Sequence, residues 1–481
     1  MNSGIITFAP EFDEYLRDES RRVGSAEQIL FAKNEEEIRQ ALRTGSKVTV
    51  QGARTGIAAG AVPEGGLILN LSRLKEIEAV QNDRLVVQPG ALLSEIRAAT
   101  EAQNLFFPPD PTETSASIGG MLASNASGAM SYRYGPTRSW VQALRVMLAD
   151  GDVLRLVRGQ KADGLLFSMT TESGRLVSGE LPDLQMPAVK SAAGYFIQPD
   201  MDLIDLFIGM EGTLGIITEA ELLLLPVPPV QQALCAFFPD EESALGFVRF
   251  LRENLNPVAI ELFGHNALDL LRKSDMDLPE LPAHFHTAIY FEFHGTSEEL
   301  VEEEVMAAAE QMVGLGAGED DCWFADGPRE IKAQKAFRHA TPEGVNLVID
   351  QRRKECPGLT KLGTDMSVPD EHLETIMRLY RNDLAAAGLD YVIFGHIGNN
   401  HVHVNILPRS MDELGQGKAL YLEWAEKVVA MGGSVSAEHG IGKIKVPLLE
   451  KMYGPEGIGA MRKVRRLFDP EGLLNSGNLF I

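Results

Sequence analysis

Three stretches within the first 218 residues hold so much glycine and so many small side chains that the backbone there must approach something closely. They are Gln51-Gly-Ala-Arg-Thr-Gly-Ile-Ala-Ala-Gly60, the pair Pro108-Pro-Asp-Pro111 and Ser117-Ile-Gly-Gly-Met-Leu-Ala-Ser-Asn-Ala-Ser-Gly128, and Glu211-Gly-Thr-Leu-Gly-Ile-Ile-Thr218. Directly after a strand, closely spaced glycines turn successive N–H groups inward as a nest for a pyrophosphate, with the Thr55 hydroxyl as an added donor. Gly119 and Gly120 open a helix of small residues that admits a flat ligand. None of the three has the G-x-G-x-x-G or G-x-x-x-x-G-K-[ST] spacing, so neither a Rossmann unit nor a P-loop is expected. Any one of them alone reads as tight turns. All three together are more than tight turns alone need.

The surrounding pattern is mixed α and β. Ile29–Gly52 reads strand–helix–strand, with Asn34 as N-cap and Glu35, Glu36 and Glu37 in the first turn. Strands follow at Leu67–Leu71, Glu76–Val80 and Leu85–Gln88, then a helix at Leu92–Ala102. Val141–Val157 alternates around Asp150-Gly151, a two-residue hairpin signal. Pro226-Val-Pro-Pro-Val230 reads as a linker, because consecutive prolines remove ladder donors.

Beyond the linker the pattern is strand Gln231–Phe238, helix Glu241–Leu255, strands Val258–Phe263 and Thr287–His294, and a helix opened by a Thr296/Glu299 capping box. It then recurs as strand Lys361–Val368, helix Glu371–Ala387, strands Tyr391–Gly395 and His401–Leu407, and helix Lys418–Met431. Two such units predict a ferredoxin-like duplication merged into one antiparallel sheet with helices on one face. The expected fold class is α+β, with regions at 1–225, 226–440 and 441–481.

Composition removes several function classes. Lys and Arg total 44 against 68 Asp and Glu, a formal net charge of −24, and the densest basic run is only Arg462–Arg466. No nucleic-acid partner is expected of so acidic a surface. Three cysteines, Cys235, Cys322 and Cys356, make neither a disulfide framework nor an iron–sulfur site. Met1–Glu14 lacks the features of a signal peptide, and no apolar run nears the roughly 18 residues of a membrane span. The expected place is the cytoplasm, with peripheral association at the inner membrane as a variant.

Four of the ten histidines gather in Gly395-His-Ile-Gly-Asn-Asn-His-Val-His403 and Ser436-Ala-Glu-His439. On a strand–turn–strand, His396 and His403 converge and Glu438 arrives from a separate strand end. Two imidazoles and a carboxylate suit Zn, Mn or Fe(II) with positions left for exogenous ligands. Such an ion would act as a Lewis acid on an exogenous oxygen ligand, and His439, next to a ligand, would be placed to take a proton from it. His401 shares a strand face with His403 by the period of two. His265, His284, His286, His294 and His372 read as ordinary structural histidines.

Gln51–Gly60, Pro108–Gly128, Tyr134-Gly-Pro-Thr-Arg138 and Leu206-Phe-Ile-Gly-Met-Glu-Gly-Thr-Leu-Gly-Ile-Ile-Thr218 resemble the FAD domain of the vanillyl-alcohol oxidase/p-cresol methylhydroxylase flavoproteins. More narrowly, the chain is similar to the FAD-linked D-2-hydroxy-acid dehydrogenases (D-lactate dehydrogenase, glycolate oxidase catalytic subunit, D-2-hydroxyglutarate dehydrogenase), from about Leu16 to Asp469-Pro-Glu-Gly-Leu-Leu-Asn475. The resemblance implies a two-subdomain FAD-binding domain, a cap domain, and a C-terminal segment that returns to the FAD domain. It implies that Gly52, Ala53, Arg54, Thr55 and Gly56 hold the pyrophosphate. Pro109, Gly119, Gly120, Asn125 and Gly128 would line the flavin, and Glu211, Gly212 and Ile216 the adenosine or flavin edge. Where relatives often carry Gly-Gly-Gly-Thr-Ser, this chain has Gly52-Ala-Arg-Thr-Gly56, and Arg54 offers a phosphate contact at the expense of backbone freedom.

With no Cys or His before Cys235, nothing in the FAD region can bond the flavin covalently, so non-covalent FAD is expected. The resemblance further implies a small 2-hydroxy-acid substrate clamped by Arg338 and Lys361, with Arg352, Arg353 and Lys354 in a nearby insertion. It speaks against His401 as a ligand, because relatives read Asp-Gly-Asn at Asn399-Asn400-His401. The implied reaction passes a hydride to flavin N5 and yields a 2-oxo acid. The electrons then go to an external acceptor such as an electron-transfer flavoprotein, a quinone, a cytochrome or oxygen. A homodimer or a complex with an iron–sulfur subunit is the expected assembly. The competing readings are a metal-dependent hydrolase and a non-catalytic flavoprotein subunit of a larger oxidase.

Overall fold

The computed structural model describes residues 4–274, 276, 278–325 and 328–480. Met1–Ser3, at the start of the first expected region, and Ile481, at the end of the last, lie outside the described residues. Gln28–Phe31, Leu67–Asn70 and Val48–Gln51 are parallel neighbours in that order, with Ile6–Thr7 antiparallel on the outer edge. Asn34 caps the helix Glu35–Leu42 by accepting from Glu37 N, and this helix buries Ile38, Ala41 and Leu42. The C-terminal segment adds itself to the free side of Val48–Gln51. Val48 N donates to Leu473 O at 2.8 Å, Asn475 N to Val48 O at 2.8 Å, and Val50 N to Asn475 Oδ1 at 2.7 Å.

A second, antiparallel sheet orders Arg84–Val87, Ile216–Leu223, Val141–Met147 and Val153–Val157. Met147 pairs with Val153, so the hairpin loop is longer than the two residues expected, with Gly151 at φ 84°. Glu76–Val80 forms only a bridge, Ile77 to Val87, and no strand of its own.

The region after Pro226 is built on one antiparallel sheet. Its order is Cys322–Ala325, Val230–Phe238, Thr287–Gly295, Ala259–Phe263, Tyr391–Gly395, His401–Ile406 and Leu362–Gly363, with Met366–Ser367 also paired to His401–Ile406. The two repeats join where Leu262 and Phe263 face Gly395 and Phe394. The expected helices on one face are only half the arrangement. Leu234, Ala236 and Phe238 pack into one core, while Ala233, Cys235 and Phe237 pack into a second on the opposite face. That second face is covered by His265–Arg272 and by Pro328–Arg352, a helix whose weak apolar periodicity gave no sequence signal. An unbroken apolar strand is the mark of a sheet buried on both sides. Two boundaries also move: Ser297 rather than Thr296 caps Glu298–Gly314, and the helix expected from Lys418 begins at Met411. No described helix is long and apolar enough to cross a membrane.

The two regions are knitted together at Gly442. Lys443 N donates to Ala58 O and Leu479 N to Gly442 O, and a Cβ on Gly442 would lie 2.0 Å from Ala58 O at a φ of +52°. Gly442→Ala is therefore expected to lower stability by about 2–4 kcal/mol, through a clash and a disfavoured φ together. Chemical denaturation checks this, and an unchanged midpoint would show that the 442–443 turn is free to shift.

Candidate active site

The glycine-rich stretches meet in one cavity of about 370 Å³. Gly52, Ala53, Arg54, Thr55, Gly56, Gly119, Gly120, Glu211, Gly212 and Ile216 line it, and so do His396, His403, Glu438 and His439. The cradle is as tight as its glycines imply: a Cβ on Gly52 would lie 2.1 Å from Ser117 Oγ, and one on Gly119 2.7 Å from Pro89. Gly56 faces open space. Small side chains and closely approached backbone fit a dinucleotide-like cofactor.

Pro109, Asn125 and Gly128 do not line the cavity. Gly128 packs its backbone on the Asp110 carbonyl, Asn125 closes the helix at φ 50° and accepts from Arg138 N at 3.0 Å, and the Pro109 carbonyl accepts from Arg97. These three shape the wall from behind. Arg54 takes a φ of 63°, which costs a non-glycine residue free energy, and its guanidinium lies 4.1 Å over the Tyr15 ring and 3.3 Å from Glu14. That charge is spent on the N-terminal segment rather than left free for a phosphate.

At the other end of the cavity, ligand atoms of His396, His401, His403 and Glu438 all lie within 4.8 Å of one another. His396 comes from the end of Tyr391–Gly395. The turn through Asn400, at φ 51°, then returns His401 and His403 on the next strand. His396 Nδ1 meets Glu261 Oε1 at 2.7 Å and His403 Nδ1 meets Thr364 O at 3.1 Å, so each ring is held with Nε2 toward the cluster. This outer support of imidazoles is the arrangement metal-binding histidines need. His401 lies within the cluster, fully buried, with neither ring nitrogen completing an aligned hydrogen bond although Asp365 Oδ1 is 2.9 Å from Nε2. Burial holds His401 down to about 4 and His403 well below the ordinary range, which leaves their lone pairs free. Burial also acts to lower His396, but Glu261 and Glu438 outweigh it and raise it to about 9. A proton there bridges two carboxylates, a place a divalent cation competes for. The donor set fits such an ion.

Asp365 organises the rest. Its carboxylate accepts from Glu438 N at 3.2 Å, His439 N at 3.0 Å, Ser436 Oγ at 2.7 Å and Lys445 Nζ at 2.5 Å, and lies 3.2 Å from His439 Nδ1. Burial alone would raise this carboxyl, but His439 and Lys445 hold it well below the usual range. An ionised Asp365 keeps the His439 proton on Nδ1 and turns Nε2 to the cavity, as a general base requires. Glu438 is tied to the cofactor side, where Ser127 Oγ donates to its Oε1 at 3.0 Å. Glu211 is a strut: its carboxylate accepts from Ile441 N and Gly442 N, both at 2.6 Å, while Asn475 and Asn478 hold its carbonyl.

The two residues expected to clamp a substrate are not brought to this cavity. Arg338 is buried with its guanidinium 5.1 Å over Tyr290 and in the field of Glu261, which in turn supports His396. Lys361 is half-buried in the field of Arg21. Arg352 bonds Asp390 at 2.6 Å. Asp365, Lys445, Ser127 and Glu261 were missed. Glu261 alone had a signal, as a charge amid the apolar run Val258–Phe263.

A family model described as the FAD binding domain matches residues 26–157, and one described as FAD linked oxidases, C-terminal domain, matches residues 227–479. The chain is 30% identical to the D-lactate dehydrogenase of Anaerostipes hadrus, over 97% of this chain and 92% of that one. It is 30% identical to the D-2-hydroxyglutarate dehydrogenase of Stutzerimonas stutzeri, over 99% and 96% of the two chains. It is 28% identical to the glycolate oxidase subunit GlcD of Bacillus subtilis, over 94% and 88%. In fold it is similar to a solved alkyldihydroxyacetonephosphate synthase, with a TM-score of 0.65 at 14% identity, covering 99% of this chain and 82% of that one.

The Glu211 strut has a pH signature. Burial pushes its carboxyl from 4.5 up to about 7. A carboxyl raised by folding stabilises the fold below its unfolded value and ceases to do so as pH climbs through its folded one. Stability is thus expected to fall between pH 4.5 and about 7, by on the order of 3 kcal/mol, and Glu211→Gln to flatten that slope. Denaturation curves measured across this range decide it, and parallel curves for the two proteins would exclude Glu211 as the source.

Proposed function

The chain belongs to the FAD-linked oxidases, and on that footing we propose that it oxidises a D-2-hydroxy acid, D-lactate foremost and glycolate or D-2-hydroxyglutarate next, to the 2-oxo acid. The observation that carries the reading is that the His439–Asp365 pair and the His/Glu cluster open into the same cavity as the glycine-rich cradle. Gly52–Gly56 and Gly119–Gly120 would hold FAD, and His396, His403 and Glu438, joined by His401, would hold a divalent ion. When bound, the flavin supplies the hydride acceptor and the ion supplies polarisation of the hydroxyl oxygen. His439 Nε2 then takes the hydroxyl proton while Asp365 balances the charge that appears on the ring.

The small residues at 119–128 would let a flat ring lie against backbone. A metal-dependent hydrolase would leave the cradle without a purpose, and a non-catalytic subunit would leave the His439–Asp365 pair without one. The three cysteines are free. The electrons are thus proposed to leave through an external acceptor: an electron-transfer flavoprotein, a quinone or a cytochrome.

Anaerobic addition of D-lactate, glycolate or D-2-hydroxyglutarate to the yellow protein is expected to bleach the flavin with one of them. His439→Ala should keep the colour and slow bleaching by about 10²- to 10⁴-fold, the usual contribution of a general base. Glu438→Ala should lose both metal and activity. Bleaching by His439→Ala at the wild-type rate would remove it as the base.

A further inference from the structure

Lys190 reaches the cluster from the cofactor-binding half. Its backbone is fixed against the later region: Lys190 O accepts from Ser367 Oγ at 2.6 Å, Ser191 Oγ meets Ser434 Oγ at 2.9 Å, and Ala192 N donates to Ser436 O at 2.8 Å. The side chain is 8% exposed, and Nζ stands 3.7 Å from Glu438 Oε1, within ion-pair range but beyond a hydrogen bond. No hydrogen-bond acceptor meets this ammonium among the described residues. An ammonium carries three donors, and burying them unmet is costly, so the folded chain holds a cation that lacks its acceptor.

Glu438, the group that Nζ approaches, lines the cavity, which puts that space within reach of an acceptor for the ammonium. Glu438 Oε1 already takes the Ser127 hydroxyl, and Ser127 and Glu438 both line the cavity. Of the two residues the resemblance offered as carboxylate clamps, Arg338 lies against Tyr290 in the field of Glu261. A flexible four-carbon stem lets Nζ turn past Oε1 toward the space in front of it. Building on the reading above of a 2-hydroxy-acid substrate, we propose that Lys190 binds the substrate carboxylate, so that the unmet ammonium beside Glu438 fixes the acid end of the ligand next to His439.

The test uses the flavin- and metal-loaded protein, with oxalate as a carboxylate probe and lactamide as a neutral one. Oxalate binding is read from the perturbed flavin spectrum and lactamide from its inhibition of bleaching. Losing a charge-assisted hydrogen bond should weaken oxalate about 10- to 100-fold in Lys190→Met. Lys190→Arg should restore most of that loss. Lactamide affinity, flavin content and metal content should stay at wild-type values. Equal oxalate affinity in Lys190→Met overturns the assignment. So does loss of metal along with oxalate, which would mean that the ammonium acts through Glu438, and so does an equal loss of lactamide affinity. A wild type that neither binds oxalate nor is bleached by any 2-hydroxy acid brings down the reaction itself, and Lys190 with it. A wild type that bleaches normally beside an unaffected Lys190→Met brings down Lys190 alone.

Discussion

The buried carboxylate of Asp365 is the interaction on which the site depends. It joins segments 73 to 80 residues apart in sequence by accepting from two successive backbone N–H groups, at Glu438 and His439, and from the Lys445 ammonium. An anion so deep is tolerable only when it is paired and multiply hydrogen-bonded. That requirement sets the place of the Glu438-His439 dipeptide and the tautomer of His439. One buried charge thereby fixes the proposed metal ligand and the proposed base together.

The two regions of the chain both supply side chains around Glu438. Ser127 and Lys190 from the first region converge on one oxygen of Glu438, and His396 approaches the other at 3.1 Å. Glu211 and Gly442 brace the loop just beyond. With its carboxylate so restrained, Glu438 pays little conformational entropy to meet a ligand, as a preorganised site requires. The Lys190 ammonium lies in ion-pair range of Glu438 but completes no hydrogen bond among the described residues.

The cap sheet makes that geometry stiff. Apolar layers on both faces clamp the strands that carry Glu261, His396 and His403. Glu261 sits in the middle of this core and is held below the usual carboxylate range, because His396 outweighs the burial that would raise it. The polar cluster is thus embedded in a dry, densely packed frame, where hydrogen bonds and charges act strongly.

What the amino-acid order determined by itself is whatever depends on near neighbours along the chain. Closely spaced glycines announce a cradle, a His-rich strand–turn–strand announces a metal-binding end, and alternating or unbroken apolar runs announce strands. The chain therefore disclosed its α+β class, its cofactor cradle, and His396, His403, Glu438 and His439. Tertiary structure alone decided the partners of those groups. Asp365, Lys190 and Ser127 act over separations of 74, 248 and 311 residues from His439 or Glu438, and no local pattern encodes such meetings. It also decided that Arg338 stands in the field of Glu261, that Lys361 stands in the field of Arg21, and that a long helix with weak periodicity covers the second face of the sheet. The reason is physical: a side chain's charge and hydrogen-bonding capacity are written in its identity, but the low-dielectric surroundings that give them force exist only once distant segments have packed together.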